Sequence, residues 1–247
     1  MSIADLGFPQ VTYRRTALKT VVCQLQFNPI LRIGQELPAA FQDVVRGAFP
    51  KLQKEDSIGF RLGGGEPNAV LQPPATIWRF KSEDEHWTIG LAIEFLSLEA
   101  NAYQHYPEFE RQFKIAFDAL QATYGIDHFT RVGLRYINEF DPAQFPGGWS
   151  TRFNSQLLGP LADPAIGPEI GQCQQVFVLS REDWSVSVRH GTVGGTYRID
   201  MDHAVDGRVS AENVMSRLRA FNDRLYQLFR WSITETLHQE MEASPRG

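Results

Sequence analysis

The stretch RVGLRYINEF, Arg131 to Phe140, carries the most demanding pattern in the chain. Val132, Leu134, Tyr136, Asn138 and Phe140 project to one side of an extended backbone, and Arg131, Gly133, Arg135, Ile137 and Glu139 to the other. A strand with polar groups on both faces needs partners on both, and glycine at 133 weakens a strand unless a backbone or a large side chain packs against it. The pattern predicts a central strand where two halves of the molecule meet. Before it, Leu18 to Phe27 alternates as a strand, with Val21, Cys23, Leu25 and Phe27 on one face. Gln35 to Ala48 has helical spacing through Leu37, Phe41, Val44, Val45 and Ala48. Short strands are expected at Ser57 to Leu62 and Ala69 to Gln72, then a hairpin of Thr76 to Lys81 with a long strand from Trp87 to Ala100. That long run sets Trp87, Ile89, Leu91, Ile93 and Phe95 against a small or polar face of Thr88, Gly90, Ala92 and Glu94. A helix over Pro107 to Tyr124, with its stripe of Phe109, Phe113, Phe117, Leu120 and Tyr124 and a closing Gly125, is expected to cover the small face.

After the central strand the order starts again. A short helix over Trp149 to Leu158 precedes a Pro- and Gly-rich loop, strands at Gln172 to Leu179, Trp184 to His190 and Thr196 to Met201, and a long helix from Ala211 to Trp231 with Ser210 as its N-cap. Thr234 to Met241 either extends that helix or forms a last short one. Each half opens on a strand ending in Phe-Asn-Pro (Phe27 to Pro29) or Phe-Asp-Pro (Phe140 to Pro142). The expectation is therefore an α+β protein, one compact body of two related halves, residues 1–128 and 129–247, each a β-α-β(3–4)-α unit whose antiparallel sheet curls around a long helix. That order is similar to the helix-grip units of TATA-binding-protein-like folds.

Composition adds exclusions. At 247 residues with 43% hydrophobic and 21% charged residues, the chain buries a full core and is not disordered. A net charge of -5 offers no general attraction to nucleic acid or anionic membranes. The basic patches are short, Arg14-Arg15 and the helical Arg217, Arg219, Arg224 and Arg230, and the last four read as a solvated helix face. Cys23 and Cys173 sit in strand-like runs and read as buried thiols of a reducing compartment. The start, MSIADLGFPQ, has no signal-peptide pattern, and no apolar run approaches spanning length, so cytoplasmic residence is expected.

Four segments, VVCQLQFNPILRI with PAAFQDVVRGAFP, WTIGLAIEFLSLEANAYQHYPEF, RVGLRYINEF and LFRWSIT, together resemble a sporadically distributed, functionally uncharacterised bacterial protein family known by a serial number. The resemblance spans nearly the whole chain. It implies structural roles only, with no activity, cofactor or catalytic residue to transfer, and its scattered occurrence suggests a defence or mobile-element association.

Candidate chemistry is sparse. No serine elbow, Cys–His pair or paired histidine spacing is visible, and Gly63-Gly64-Gly65-Glu66 lacks the lysine and hydroxyl of a phosphate loop, so a hairpin tip is expected there. Asp200 and Asp202 share a strand face and, with His203, could collect a divalent cation if another carboxylate joined them; the plainer reading is a strand entering a polar turn at AVDG. Arg131, Arg135 and Glu139 share a face of the central strand, with Glu94 nearby on the long hairpin strand. They read either as a structural ion pair, Arg135 with Glu94 or Glu139, or as the polar floor of an anionic ligand site. No cofactor is indicated. The expected function is non-catalytic binding of a protein partner or a small ligand, with homodimerisation open; the alternative is a metal-dependent enzyme or toxin acting on nucleic acid through Asp200 and Asp202.

Overall fold

A computed structural model describes residues 6–57, 60–61, 70–71 and 75–245. It is a mixed α+β structure built on one large antiparallel sheet with helices packed on it. In chain order the first half contains β1 (Val11–Tyr13), β2 (Leu18–Gln26), α1 (Leu31–Gln35), α2 (Ala39–Val45), β3 (Lys51–Ser57), β4 (Phe60–Arg61), β5 (Val70–Leu71), β6 (Ala75–Lys81), β7 (Trp87–Ala92), β8 (Phe95–Ala100) and α3 (Tyr106–Tyr124). The second contains β9 (His128–Phe140), α4 (Ser155–Leu158), β10 (Gln172–Arg181), β11 (Trp184–Val193), β12 (Thr196–Ser210), α5 (Val214–Ser232), α6 (Glu235–Glu240) and β13 (Ala243–Pro245). The large sheet runs β10-β11-β12-β9-β2-β8-β7-β6-β3, while β1 pairs with β13 and β4 with β5.

The central strand is where its pattern requires it. β9 lies between β2 and β12, hydrogen-bonded to both, with Leu134 opposite Cys23 on one flank and His203 on the other. Val132, Leu134, Tyr136, Asn138 and Phe140 are all buried on the face that the helices cover. Glycine at 133 has the predicted reason: a β-carbon there would lie 2.6 Å from Nη1 of Arg131, whose guanidinium lies across the site.

The long helices form for local reasons as well. At the start of α3 the His105 imidazole accepts the Glu108 N–H at 3.2 Å, Pro107 stands in the first turn, and Gly125 closes the helix at φ 61°, which residues with a β-carbon resist. Its Phe109 and Phe113 are buried, Phe109 with its ring 6.0 Å from Trp87. α3 therefore packs on the large apolar face of the sheet. The expectation that it would cover the small face was wrong: those small residues make room for arginines, since a β-carbon at Gly90 would meet Ser97 Oγ and, at 3.1 Å, Nη1 of Arg79.

Other boundaries moved. Of the helix expected over Gln35 to Ala48 only α2 forms, starting after Pro38, which disfavours helical backbone at the residue before it, and Gln35 is instead the last residue of α1; Leu37 and Val44 are exposed rather than part of a stripe. The run from Trp87 to Ala100 is a tight hairpin turning at Ile93 and Glu94, with Leu91 opposite Leu96. The core face passes from Trp87, Ile89 and Leu91 to Leu96, Leu98 and Ala100 across that turn. The turn is tied down by Ile30 N–H donating to the Ile93 carbonyl at 2.8 Å and Phe27 N–H to the Glu94 carbonyl at 3.0 Å. β12 does not enter a turn at AVDG; it runs on to Ser210 beside β9, with a register shift between Asp206 and Val209. Its neighbour α5 begins at Val214 behind a short 3-10 turn, and Ser210 does not cap it with its side chain. The strand β3 was not anticipated, its residues being mostly polar. The helix expected over Trp149 to Leu158 is a 3-10 turn plus α4, and its Phe153 and Leu157 are buried as the spacing required. The Gly63 to Glu66 tip lies outside the described residues.

Phe113→Ala removes a buried ring from the α3 seam and is expected to cost about 3–5 kcal/mol in urea denaturation. Phe117→Ala, at a half-buried position of the same helix, should cost clearly less.

Candidate functional site

The two faces of β9 present two different environments. On the face away from the helices, Arg135 makes a two-pronged pair with Asp200, Nε to Oδ1 at 2.7 Å and Nη2 to Oδ2 at 2.5 Å. Arg131 reaches Asp202 at 3.1 Å and Asp206 at 3.5 Å, and Glu139 faces Arg198 at 3.8 Å. Asp200 is deeply placed, its side chain 6% exposed, and a second guanidinium, Arg189, lies 3.9 Å away. The Asp200 hydrogen bond is the leading cause of the Arg135 pKa rising above its ordinary value, with burial opposing it. A bidentate geometry of this kind is the strong form of the arginine–carboxylate contact.

These contacts correct the expected site. Arg135 is paired, but with Asp200 of β12 rather than with Glu139 or Glu94; Glu94 sits in the exposed β7–β8 turn. Asp200 and Asp202 do share a face, yet each is engaged by an arginine, and alternation sends His203 to the opposite side of the sheet. Among the described residues no group of three or more His, Cys, Asp or Glu converges as a metal site. The arginines of α5 are not a uniform solvated face: Arg219 pairs with Glu110 of α3 at 2.6 Å, Arg224 lies 4.9 Å over the Trp184 ring, and Arg230 is buried. Cys23 is buried, and burial pushes its thiol well above the usual range, whereas Cys173 is only half-buried.

On the helix side, a crevice of about 370 Å³ opens above Tyr136 and Asn138 of β9. Its walls are β1, the Tyr103–Gln104 segment before α3, and Asn222, Tyr226 and Phe229 of α5. The floor is a polar chain in an apolar setting. Tyr136 donates to Asn222 Oδ1 at 2.8 Å, the Tyr103 and Tyr136 hydroxyls are 3.4 Å apart, and the Asn222 amide donates to Asp223 at 3.3 Å. At the rim Tyr226 donates to the Pro9 carbonyl at 2.6 Å and accepts the Val11 N–H at 3.2 Å, which holds the N-terminal strand against α5. Tyr13 meets Nδ1 of His238 at 2.9 Å.

Burial raises the Tyr13 hydroxyl well above the phenol range despite nearby Arg230, so it stays protonated at neutral pH. His238 is lowered by burial first and Arg230 second. Among the described residues Arg14 is the only charged side chain lining the crevice, and it pairs with Glu242 at 3.3 Å. The arrangement provides neutral donors, neutral acceptors and aromatic surface, without a juxtaposed acid and base. Sequence reasoning placed polar residues on the β9 face of Tyr136 but gave the ligand role to the other face. The signal it passed over was Asn138 and Tyr136 alternating with purely apolar neighbours.

A third cluster lies behind β12. His203 stacks on Phe221 with ring centroids 4.0 Å apart and receives Arg224 Nη1 at its Nε2, 3.3 Å away. Burial, reinforced by Arg224, pushes its pKa down to about 3. The chain matches no protein-family model and no curated protein. No helix is long and apolar enough to cross a membrane among the described residues.

Arg135→Ala leaves Asp200 with only the looser Arg189 contact and should destabilise by about 2 kcal/mol, the half-exposed arginine keeping the loss below that of a fully buried pair. In a double-mutant cycle with Asp200→Asn, a coupling energy near zero would refute the pairing. For His203 the folded pKa lies below the unfolded value, so its contribution is intact above pH 6.5 and is lost as pH falls toward 3. Between pH 7 and pH 5 the protein should lose about 2 kcal/mol more stability than His203→Phe, measured by urea denaturation at each pH.

Proposed function

We propose that this is a non-catalytic binding protein that holds a small, uncharged, hydrogen-bonding ligand with an aromatic or flat apolar part in the crevice above Tyr136. The observation that carries this reading is the Tyr103–Tyr136–Asn222 chain, a polar floor among buried apolar side chains, facing a cavity of ligand size. Neutral hydroxyl and amide groups favour a neutral ligand, because a buried unpaired charge would cost several kcal/mol. The protein works in the cytoplasm on this reading and belongs with the sporadically distributed bacterial family that its segments resemble, in a defence or mobile-element setting. A metal-dependent enzyme or toxin acting on nucleic acid through Asp200 and Asp202 is disfavoured by the arginines that already engage both carboxylates.

We also propose that the halves 1–128 and 129–247 arose by duplication of a helix-grip-like unit. In each, the first strand pairs with the last strand of its own meander, β2 with β8 and β9 with β12, and the two first strands pair with each other. A long helix follows each meander, α3 and then α5. This pseudo-two-fold order supports the reading.

A thermal-shift screen of neutral heteroaromatic and amide compounds tests the ligand class. A compound present at about 100 times its Kd should add about 2.7 kcal/mol of stability. Its effect should be lost in Tyr136→Phe and Asn222→Leu, while magnesium or manganese should leave the melting temperature unchanged. Stabilisation by a divalent metal, with no response to any neutral compound, would favour the enzymatic alternative.

A further inference from the structure

The two edges of the large sheet are built differently. At one end β3 carries Lys51, Lys54 and Glu55, the charges that keep an edge from recruiting another strand. At the other end β10 reads QCQQVFVLSR over ten residues, with no proline, glycine or lysine and a single charge, Arg181, at its end. Only its β11 side is paired among the described residues. On the solvent face Val176 and Val178 are 62% and 59% exposed, while Phe177 on the other face is half-buried beside His190. A long, regular, apolar outer strand of this kind is a pairing template.

We propose that β10 is a homodimer interface: two copies join antiparallel, edge to edge, and the nine-stranded sheet becomes continuous across the pair. Geometry narrows the register. Residues opposite each other in an antiparallel pair project from the same face, and neighbours in sequence project from opposite faces, so the two-fold axis must fall on a residue rather than between two. An axis on Phe177 sets Val176 against Val178 of the second copy, twice, and places the two Phe177 side chains opposite each other beneath. An axis on Val176 instead sets Val178 against Gln174, which wastes the apolar match.

The charge pattern selects the occupant. In the Phe177 register Arg181 falls opposite Cys173, so no like charges meet. Pairing β10 with the β3 edge of another copy would set the valines against lysine and glutamate, and would leave free edges for open-ended growth instead of a closed dimer.

Sedimentation velocity on the full chain over a concentration series tests the proposal. The wild-type protein should show a monomer–dimer equilibrium. Val176→Lys with Val178→Lys puts two lysine pairs face to face, and should raise the dimer dissociation constant at least about tenfold. Val176→Lys with Val178→Glu faces lysine with glutamate twice across the same axis, and should restore the dimer. Circular dichroism melting establishes that each variant is folded, as substitution at exposed positions permits. A wild-type protein that stays monomeric, or a double-lysine variant that still dimerises, would overturn the interface; failure of the lysine–glutamate variant to dimerise would overturn the Phe177 register.

Discussion

Everything in this molecule depends on β9 being paired along both flanks. With β2 on one side and β12 on the other, its backbone N–H and C=O groups are committed to two ladders. Its side chains must then divide strictly between two faces, and neither face can borrow from the other. The helix side takes Val132, Leu134 and Phe140, each fully buried and each contributing roughly 1.5–3 kcal/mol by leaving water. The solvent side takes Arg131 and Arg135, whose charge is answered by Asp202 and Asp200 from the neighbouring strand. A one-residue slip would put arginines under α5 and phenylalanine in water, so the register is fixed by the sum of both faces.

The same division explains what the sequence made legible. Strict alternation with polar residues on both sides and a glycine at 133 was enough to place β9 centrally, and the 3.6-residue recurrence of Phe109, Phe113 and Leu120 was enough to place α3. Alternation could not show that the run from Trp87 to Ala100 folds back on itself. A two-residue turn at Ile93 and Glu94 leaves apolar residues on both sides of it, and only the pairing of Leu91 with Leu96 reveals the change of face. β3 was illegible for the opposite reason: an edge strand needs only one partner and uses charge to stay solvated, so KLQKEDS shows no apolar period.

The candidate site was half legible. The charged residues of β9 were correctly grouped on one face, but a side chain's partner across a sheet depends on register, which periodicity does not encode. Asp200, read as the end of a strand and a weak metal ligand, is instead the carboxylate that Arg135 holds. The polar side chains that β9 presents on the helix side, Tyr136 and Asn138, are neutral, and Tyr136 bonds to Asn222 of α5. Tyr136 and Asn138 are costly on a face meant for apolar packing, and their neighbours converge on them from two segments, Tyr103 from the chain before α3 and Asn222 and Tyr226 from α5. That convergence, not charge, marks the crevice.

The most direct measurement of this account is native-state hydrogen–deuterium exchange of the segment from His128 to Phe140. Amides paired on both flanks of an interior strand should exchange only through global unfolding, with protection equal to the full stability of the protein, while the outer strand β10 exchanges sooner in dilute solution. If the β9 amides exchanged by local fraying, faster than those of β8 or β12, the strand could not be the shared centre of the sheet, and the assignment of its two faces to ion pairs and crevice would fall with it.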